Sequence, residues 1–390
     1  MKRICFLTDS IFSYGGVQRV TAVIAKQLAF NDNVTIVTFD QPSAKDTSFY
    51  DLNETNITYR FFSYPTRKSL KNLFCKAYSA CYRKLHLQWQ WASRLYAHSS
   101  FPSEWRKALI QELNDGHYDV IVGVHAPLAA RLATMKPRLK KVRCIGWIHN
   151  SFDALYGPKS LYIGPELKRH YIYQLRRLDE VVVLCKHDAE HYTHYDSFFK
   201  PIVIYNPLTL QPGRSSDGTS KRFLAVGRFS HLHKGFDVLI DAFHLFAKKN
   251  ADWMLDIVGE GSEEPMYRER IAKYGLEQRI EIHPFTNHIQ SYYSQAQIFV
   301  LSSRWEGLPL VLVEAMSHGL PIVSSNIPSS LEILGDFGLY FENEDASQLA
   351  QRLFDATKLD WPKKSREALE IASHFDVASI TREWKEVLHL

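Results

Sequence analysis

Leu301–Gly319 reads Leu-Ser-Ser-Arg-Trp-Glu-Gly-Leu-Pro-Leu-Val-Leu-Val-Glu-Ala-Met-Ser-His-Gly. The apolar run Ile298–Leu301 at its head predicts a buried strand, and the polar turn behind it holds Glu306 and Gly307. Pro309 then opens a helix that Gly319 ends, with Pro321 just beyond. Proline in a first turn lacks only an N–H that would have no partner there, and glycine relieves the left-handed cap. The amides of that first turn, those of Leu310 and Val311, face an anion. Two carboxylates bracket the anion site. Glu306 lies in the turn, and Glu314 lies about a turn and a half into the helix, roughly 8 Å along its axis. A ligand with hydroxyls at both ends and phosphate between them fits this layout, and a nucleotide sugar is such a ligand.

The same strand–turn–helix plan extends in both directions. Phe223–Val226 predicts a strand followed by Gly227-Arg228, Lys234-Gly235 and an amphipathic helix over Phe236–Ala247. Met254–Val258 ends in Gly259-Glu260-Gly261, Ile280–Ile282 ends in His283-Pro284-Phe285, and Val323–Ser325 comes after the opening stretch. In the first half, Ile4–Leu7, the turn at Gly15-Gly16, the helical spacing of Val17–Phe30 and the strand Val34–Phe39 make a βαβ unit. It lacks Gly-x-Gly-x-x-Gly, which disfavours dinucleotide binding. Tyr118–Val124 ends at His125, Val142–Ile148 at His149-Asn150, Val181–Leu184 at Cys185-Lys186, and Ile202–Tyr205 at Asn206-Pro207. Functional groups of open α/β sheets gather at such carboxyl ends. The polar, turn-rich Gln211–Ser220 reads as the linker between two domains.

At 390 residues the chain can build two cores. No apolar run is long enough to span a membrane, and the apolar segment after Lys2-Arg3 is too short for a signal peptide. Five scattered cysteines in no metal-binding spacing read as free thiols of a reducing cytoplasm. Residues 1–207 carry 28 Lys and Arg against 17 Asp and Glu, a balance of +11, whereas residues 208–390 stand at −6. The basic half calls for an anionic partner, and no nucleic-acid motif accompanies it.

The pair Glu306 and Glu314, with the flanks Ser302–Arg304, Gly307–Val311, Ala315-Met316 and Gly319–Val323, resembles the signature of retaining glycosyltransferases of family four. The resemblance implies a GT-B fold, two Rossmann-like α/β domains facing across a cleft. It implies an acceptor-binding domain over 1–207, a nucleotide-sugar-binding domain over 208–375, and a last helix over 376–390 returning to the first domain. Glu306 would bind donor-sugar hydroxyls, Glu314 the ribose diol, and Arg228, Lys234, the Leu310 and Val311 amides and the Gly15-Gly16 turn the diphosphate. His149 matches the family's donor-contacting histidine, in a His-Asn rather than the usual His-Asp. Gly261 and Phe285 are placed for the base. No metal or other cofactor is expected, since the nucleotide sugar, a UDP-sugar, is itself a substrate. Taken without the resemblance, the two glutamates read rather as solvated charges and Arg228 and Lys234 as surface cations, and Gly15-Gly16 reads equally as a plain tight turn. A nucleotide-sugar epimerase or a non-catalytic sugar-nucleotide-binding protein would share much of the pattern.

The resemblance is poor over residues 60–115, where acceptors are usually distinguished. There Arg67–Lys107 sets Arg67, Lys68, Lys71, Lys76, Arg83, Lys84, Arg94, Arg106 and Lys107 against one acid, Glu104, with aromatic residues interleaved. Two readings stand. One is an interfacial surface on an anionic bilayer, with Trp89, Trp91 and Tyr96 at headgroup depth, a peripheral enzyme of the inner membrane face and a glycan or lipid-linked saccharide acceptor. The other is a helical pair packed on the domain with its basic face in water.

Overall fold

The computed structural model describes residues 1–65, 71–87, 89–158, 160–210, 213–230 and 233–389. It divides into two compact units, Met1–Asn206 together with Val377–Leu390, and Pro207–Asp376. The first holds strands β1 (Arg3–Thr8), β2 (Asn33–Thr38), β3 (Thr58–Phe61), β4 (Val120–Val124), β5 (Arg143–Trp147), β6 (Glu180–Val183) and β7 (Ile202–Val203). They pair in parallel in the order β3-β2-β1-β4-β5-β6-β7. The second holds β8 (Arg222–Val226), β9 (Met254–Val258), β10 (Ile280–His283), β11 (Ile298–Leu301), β12 (Ile322–Ser325) and β13 (Leu339–Phe341). These are also parallel, in the order β10-β9-β8-β11-β12-β13.

The strand sequences explain the architecture. Val-Ile-Val-Gly-Val of β4 and Ile-Phe-Val-Leu of β11 are buried at every residue, as parallel strands covered on both faces must be. The helix predicted over Phe236–Ala247 and the strand over Met254–Val258 have those bounds, and most other strands agree within a residue or two. The last strand of the first sheet is shorter than expected, since only Ile202–Val203 pairs. Pro309 caps the helix Leu310–Ser317 from outside rather than opening it, and Gly319 takes φ 76° just after its end.

The chain crosses between the units at Asn206–Pro207, not along the polar stretch read as a linker. Gln211 and Pro212 lie outside the described residues. The segment beyond them is packed onto the second unit: Ser216 is buried, donating its N–H to His318 O at 3.0 Å and its hydroxyl to Ala296 O. Turn residues here serve tight packing, because their short polar side chains satisfy buried carbonyls. The terminal helix Val377–Leu388 belongs to the first unit. It packs on the helix Gly16–Ala29, and the fully buried Trp384 ring lies 4.5 Å from that of Trp147.

In each sheet the chain builds outward in one direction and then restarts on the other side of the first strand. The first sheet's switch lies between β1 and β4, the second's between β8 and β11. Loops leaving neighbouring strands diverge at such a point and leave a crevice at their carboxyl ends.

Candidate active site

In the second unit two loops meet at the switch. The loop after β8 ends at Gly235, whose φ is 63°. A Cβ there would come within 2.0 Å of Ser302 O, so the contact with the loop after β11 requires glycine. Ser302 Oγ donates to Lys234 O at 2.7 Å, and Arg304 N–H donates to His233 O at 2.8 Å. The stitched loops bring three groups onto the buried Glu306. Lys234 Nζ donates to Oε1 at 2.6 Å, Ser303 Oγ donates to the same oxygen at 2.6 Å, and His233 Nε2 lies 3.6 Å from Oε2. Burial alone would raise the Glu306 carboxyl, but Lys234, His233 and the hydrogen bonds outweigh it and hold the group below its ordinary range. Glu306 is therefore an ionised, acceptor-only group. The His233 ring stacks on Trp305 at 4.9 Å. Arg304 forks onto Asp237 with two bonds of 2.9 Å, which makes it a brace for this loop.

Arg228 lies exposed on the same β8 loop, whose Phe229 N–H donates to Glu260 O at 2.8 Å. Gly261, on the loop after β9, has φ 149°, and a Cβ there would lie 2.1 Å from Phe229 O. Phe285 sits exposed just past the end of β10. Leu310 and Val311 form the first turn of the helix Leu310–Ser317, where amides precede any acceptor within the helix. Glu314 is 2% exposed, and its Oε2 accepts from Tyr293 Oη at 2.9 Å. Tyr293 in turn stacks on His318, whose Nδ1 is 2.8 Å from Glu314 O.

The first unit's switch is built from different groups. His149 comes after β5, buried, with its ring 4.3 Å from Trp147 and 5.4 Å from His125. Burial, and then the neighbouring His125, push its pKa well below the usual imidazole value, so the ring is neutral. Among the described residues its Nε2 has no hydrogen-bond partner. His125 caps the helix Ala126–Met135 at φ 72°, a left-handed conformation stored next to the sheet edge. Burial lowers its pKa, against Asp9 and a hydrogen bond with Asn150. Gly15 is extended, at φ 174°, so no special conformation calls for glycine there. Its N–H donates to Tyr50 Oη at 2.9 Å, and Tyr50 Oη donates to Ser13 O at 2.8 Å.

The structure thus gathers Lys234 and Glu306 in direct contact, sets Arg228, Gly261, Phe285, Leu310, Val311 and Glu314 on the carboxyl-end loops and helix of the second sheet, and leaves Gly15, Gly16 and His149 on the first. Sequence reasoning missed His233, Ser303, Tyr293 and Tyr50. His233 and Ser303 adjoin Lys234 and the Glu306 turn, and that adjacency is the signal that could have found them.

A family model described as "Glycosyltransferase Family 4" matches residues 14–211, just over half of the chain, and one described as "Glycosyl transferases group 1" matches residues 210–373. The chain belongs to glycosyltransferase family 4. An uncharacterised glycosyltransferase of Haemophilus influenzae is 28% identical over the full length of both chains. A lipopolysaccharide 1,6-galactosyltransferase of Salmonella typhimurium is 30% identical over 33% of this chain and 37% of its own length. Among solved structures, Anabaena HepE in complex with UDP and glucose matches all of both chains with a TM-score of 0.75 at 20% identity. The fold is GT-B, with two Rossmann-like domains.

In this glycosyltransferase the basic stretch divides between core and surface. Arg67 and Lys68 lie outside the described residues. In the helices Lys71–Lys84 and Gln90–Ser100, Tyr82 stacks on Tyr96 at 4.4 Å, and both are buried in the first core. Tyr96, expected at headgroup depth, therefore cannot reach a bilayer, because its ring completes that core. Arg106 is buried too, donating to Phe101 O at 3.1 Å. Phe74, Trp89 and Trp91 are by contrast 79%, 58% and 59% exposed, with Leu73, Leu85 and Leu95. The two indole rings lie parallel, 5.9 Å apart. Lys76, Arg83, Lys84 and Arg94 are exposed among them, and no acid occurs between Lys71 and Ser103. No helix among the described residues is long and apolar enough to cross a membrane.

Proposed function

We propose that this enzyme moves a sugar from a UDP-sugar to a saccharide acceptor of a bacterial surface polysaccharide, with retention of configuration at the anomeric carbon. The observation that carries the reading is the ionised Glu306 held against Lys234 at the switch point of the second sheet. The carboxylate accepts hydrogen bonds from donor-sugar hydroxyls, while the ammonium beside it faces the diphosphate. As the bond from C1 to the diphosphate oxygen breaks, negative charge grows on the leaving group. Lys234, Arg228 and the amides of Leu310 and Val311 stabilise it, each fixed donor contributing about 3 kcal/mol. Glu314 accepts from the ribose diol, Gly261 and Phe285 flank the base, and neutral His149 supplies a donor-sugar hydrogen bond. The departing phosphate oxygen takes the proton of the acceptor hydroxyl, which attacks from the same face. Proton and charge balance without a metal. HepE's complex with UDP and glucose and the Salmonella enzyme's lipopolysaccharide name support the donor and acceptor classes.

The acceptor is a lipid-linked saccharide met at an anionic membrane face, and the enzyme is peripheral there. Phe74, Trp89 and Trp91 insert at the interface while Lys76, Arg83, Lys84 and Arg94 meet lipid headgroups, each cation contributing about 1 kcal/mol at low salt.

A panel of UDP-sugars, scored by UDP release and by the product's anomeric signals in NMR, tests the chemistry. Transfer with retention is expected. An inverted product would overturn the mechanism, an interconverted free donor would identify an epimerase, and absence of turnover with every donor would leave a binding protein. Flotation tests the membrane step separately: the chain should rise with anionic vesicles at low salt and be released by high salt. Unaltered flotation of Trp89→Ser/Trp91→Ser would sink it.

A further inference from the structure

The helix Phe152–Tyr156 comes after β5, and the helix Lys186–Tyr195 after β6, so both begin at the carboxyl edge that carries His149. Their facing side chains make a cluster that the transfer chemistry leaves unused. His187 and His191 stand one helical turn apart, with rings 4.2 Å from centre to centre. Asp153 Oδ2 lies 3.9 Å from His187 Nε2, and one ligand atom from each of the three residues falls within 4.8 Å of the others.

We infer that Asp153, His187 and His191 form a binding site for a borderline divalent cation of the zinc class. Two imidazoles and a carboxylate suit zinc, cobalt or nickel rather than magnesium or calcium, which prefer oxygen alone. Histidines at i and i+4 present both rings on one helix face, the spacing that zinc-binding helices use. Tetrahedral zinc with bonds of about 2.1 Å sets its ligand atoms roughly 3.4 Å apart. Asp153 Oδ2 closes to that separation by side-chain rotation, since Asp153 is exposed. The scaffold under the ligands is braced. Phe152 N–H donates to Asp188 Oδ1 at 2.8 Å, tying the two helices together, and the Phe152 ring packs 5.3 Å from His191. Ser151 Oγ accepts from Ala154 N–H and fixes the turn that presents Asp153. Three protein ligands leave the fourth position to water or to an anionic oxygen, four residues along the chain from His149.

A second cluster has its ligand atoms engaged by a guanidinium. Asp256, Glu281 and His283 are equally close, but Arg222 Nη1 donates to both Asp256 oxygens at 2.8 and 2.9 Å, and His283 Nε2 lies 3.0 Å from Oδ1. That carboxylate is already neutralised by a guanidinium.

The test uses the full-length, untagged chain titrated with Zn²⁺ by calorimetry and with Co²⁺ by visible absorption. One equivalent of Zn²⁺ should bind, Co²⁺ should give the intense bands of a tetrahedral centre, and Zn²⁺ should raise the melting temperature. His187→Ala, His191→Ala and Asp153→Asn should each weaken Zn²⁺ binding by about tenfold or more, whereas His283→Ala should leave it unchanged. His191→Gln, melting like wild type without metal, separates a lost ligand from a lost fold. No saturable binding by the wild-type chain would overturn the inference and leave Asp153 and His187 as a loose ion pair. Binding that survives His191→Gln, or that is lost in His283→Ala, would overturn it as well.

Discussion

The two sheets share one strand plan, yet their switch points carry opposite chemistry. The second is charged: Lys234 and Glu306 touch, and Arg304 braces Asp237 behind them. The first is built of imidazoles that burial keeps neutral, His149 and His125, beside the Trp147 ring and with Asp9 acting on His125. A parallel sheet supplies a crevice and says nothing of what fills it. A charge held in the protein interior needs a partner and hydrogen bonds around it, whereas an imidazole answers the same burial by staying neutral. This difference predicts unequal responses to mutation and to acid.

The largest effect belongs to the charged switch. Lys234→Ala should lower kcat by about 10³, as removal of a preorganised oxyanion donor does. It should also destabilise the second unit by about 3–5 kcal/mol, because Glu306 is left buried without its cation. Lys234→Ala/Glu306→Ala should regain much of the stability and none of the activity. Initial rates with the donor that the panel identifies and urea unfolding of the three chains measure both. A single variant with wild-type turnover would erase the distinction between the two switch points.

The legibility of this site in the sequence divides along the same line. Strands buried on both faces announce themselves as unbroken apolar runs, so the two sheets and their carboxyl-end loops could be read directly. Arg228, Lys234, Glu306 and Glu314 were singled out through the match of their flanks to the family's motif, because their spacing alone reads as well as surface charge. The pairing of Lys234 with Glu306 was not, since 72 residues separate them. Tyr50 was invisible for the same reason: it reaches back 35 residues to Gly15. The polar stretch after Gln211 misled because turn composition marks a reversal of the chain and does not tell a free linker from one packed onto a domain. In the basic helices, alternation of aromatic and cationic residues could not say which rings face inward. Tyr82 and Tyr96 went to the core, and Trp89 and Trp91 to the surface.

Acid should separate the units next. Burial holds His170 down to about 4, and its Nδ1 lies 2.7 Å from Ser93 Oγ. The unfolded chain binds a proton on this histidine near pH 6.5 and the folded chain does not. Stability is therefore full above about pH 6.5 and is lost as pH falls toward 4, by about 3 kcal/mol over that window from His170. His149 and His125 act in the same direction in the same unit. In the second unit His233 does so too, but Glu306 behaves otherwise. Its depressed carboxyl contributes stability that persists until pH falls through its own, lower value. The first unit should thus weaken at higher pH than the second. Urea unfolding at pH 7.5 and pH 5 measures the loss, and His170→Gln should flatten it. A variant with the wild-type slope would show that the buried imidazole is not its source.

The smallest effect tests how the Gly15-Gly16 turn is held. If that turn were shaped by its glycines, as phosphate-cradling loops often are, Tyr50 would be incidental. Its hydroxyl instead accepts the Gly15 N–H and donates to Ser13 O, with Tyr50 and Asp51 both held at positive φ to bring it there. Two left-handed non-glycine residues in succession carry strain, which the surrounding contacts must offset. Tyr50→Phe keeps the ring and its packing against Phe49 and deletes the two hydrogen bonds. The partly buried Gly15 amide loses its partner, so the variant should be less stable by about 1–2 kcal/mol, a fall in melting temperature of a few degrees. Turnover should change by no more than severalfold, because the hydroxyl contributes position rather than charge. A loss as large as that of Lys234→Ala would mean that the tyrosine hydroxyl or the turn it holds bears directly on the leaving diphosphate, and the contrast between a charged and a neutral switch point would have to be given up.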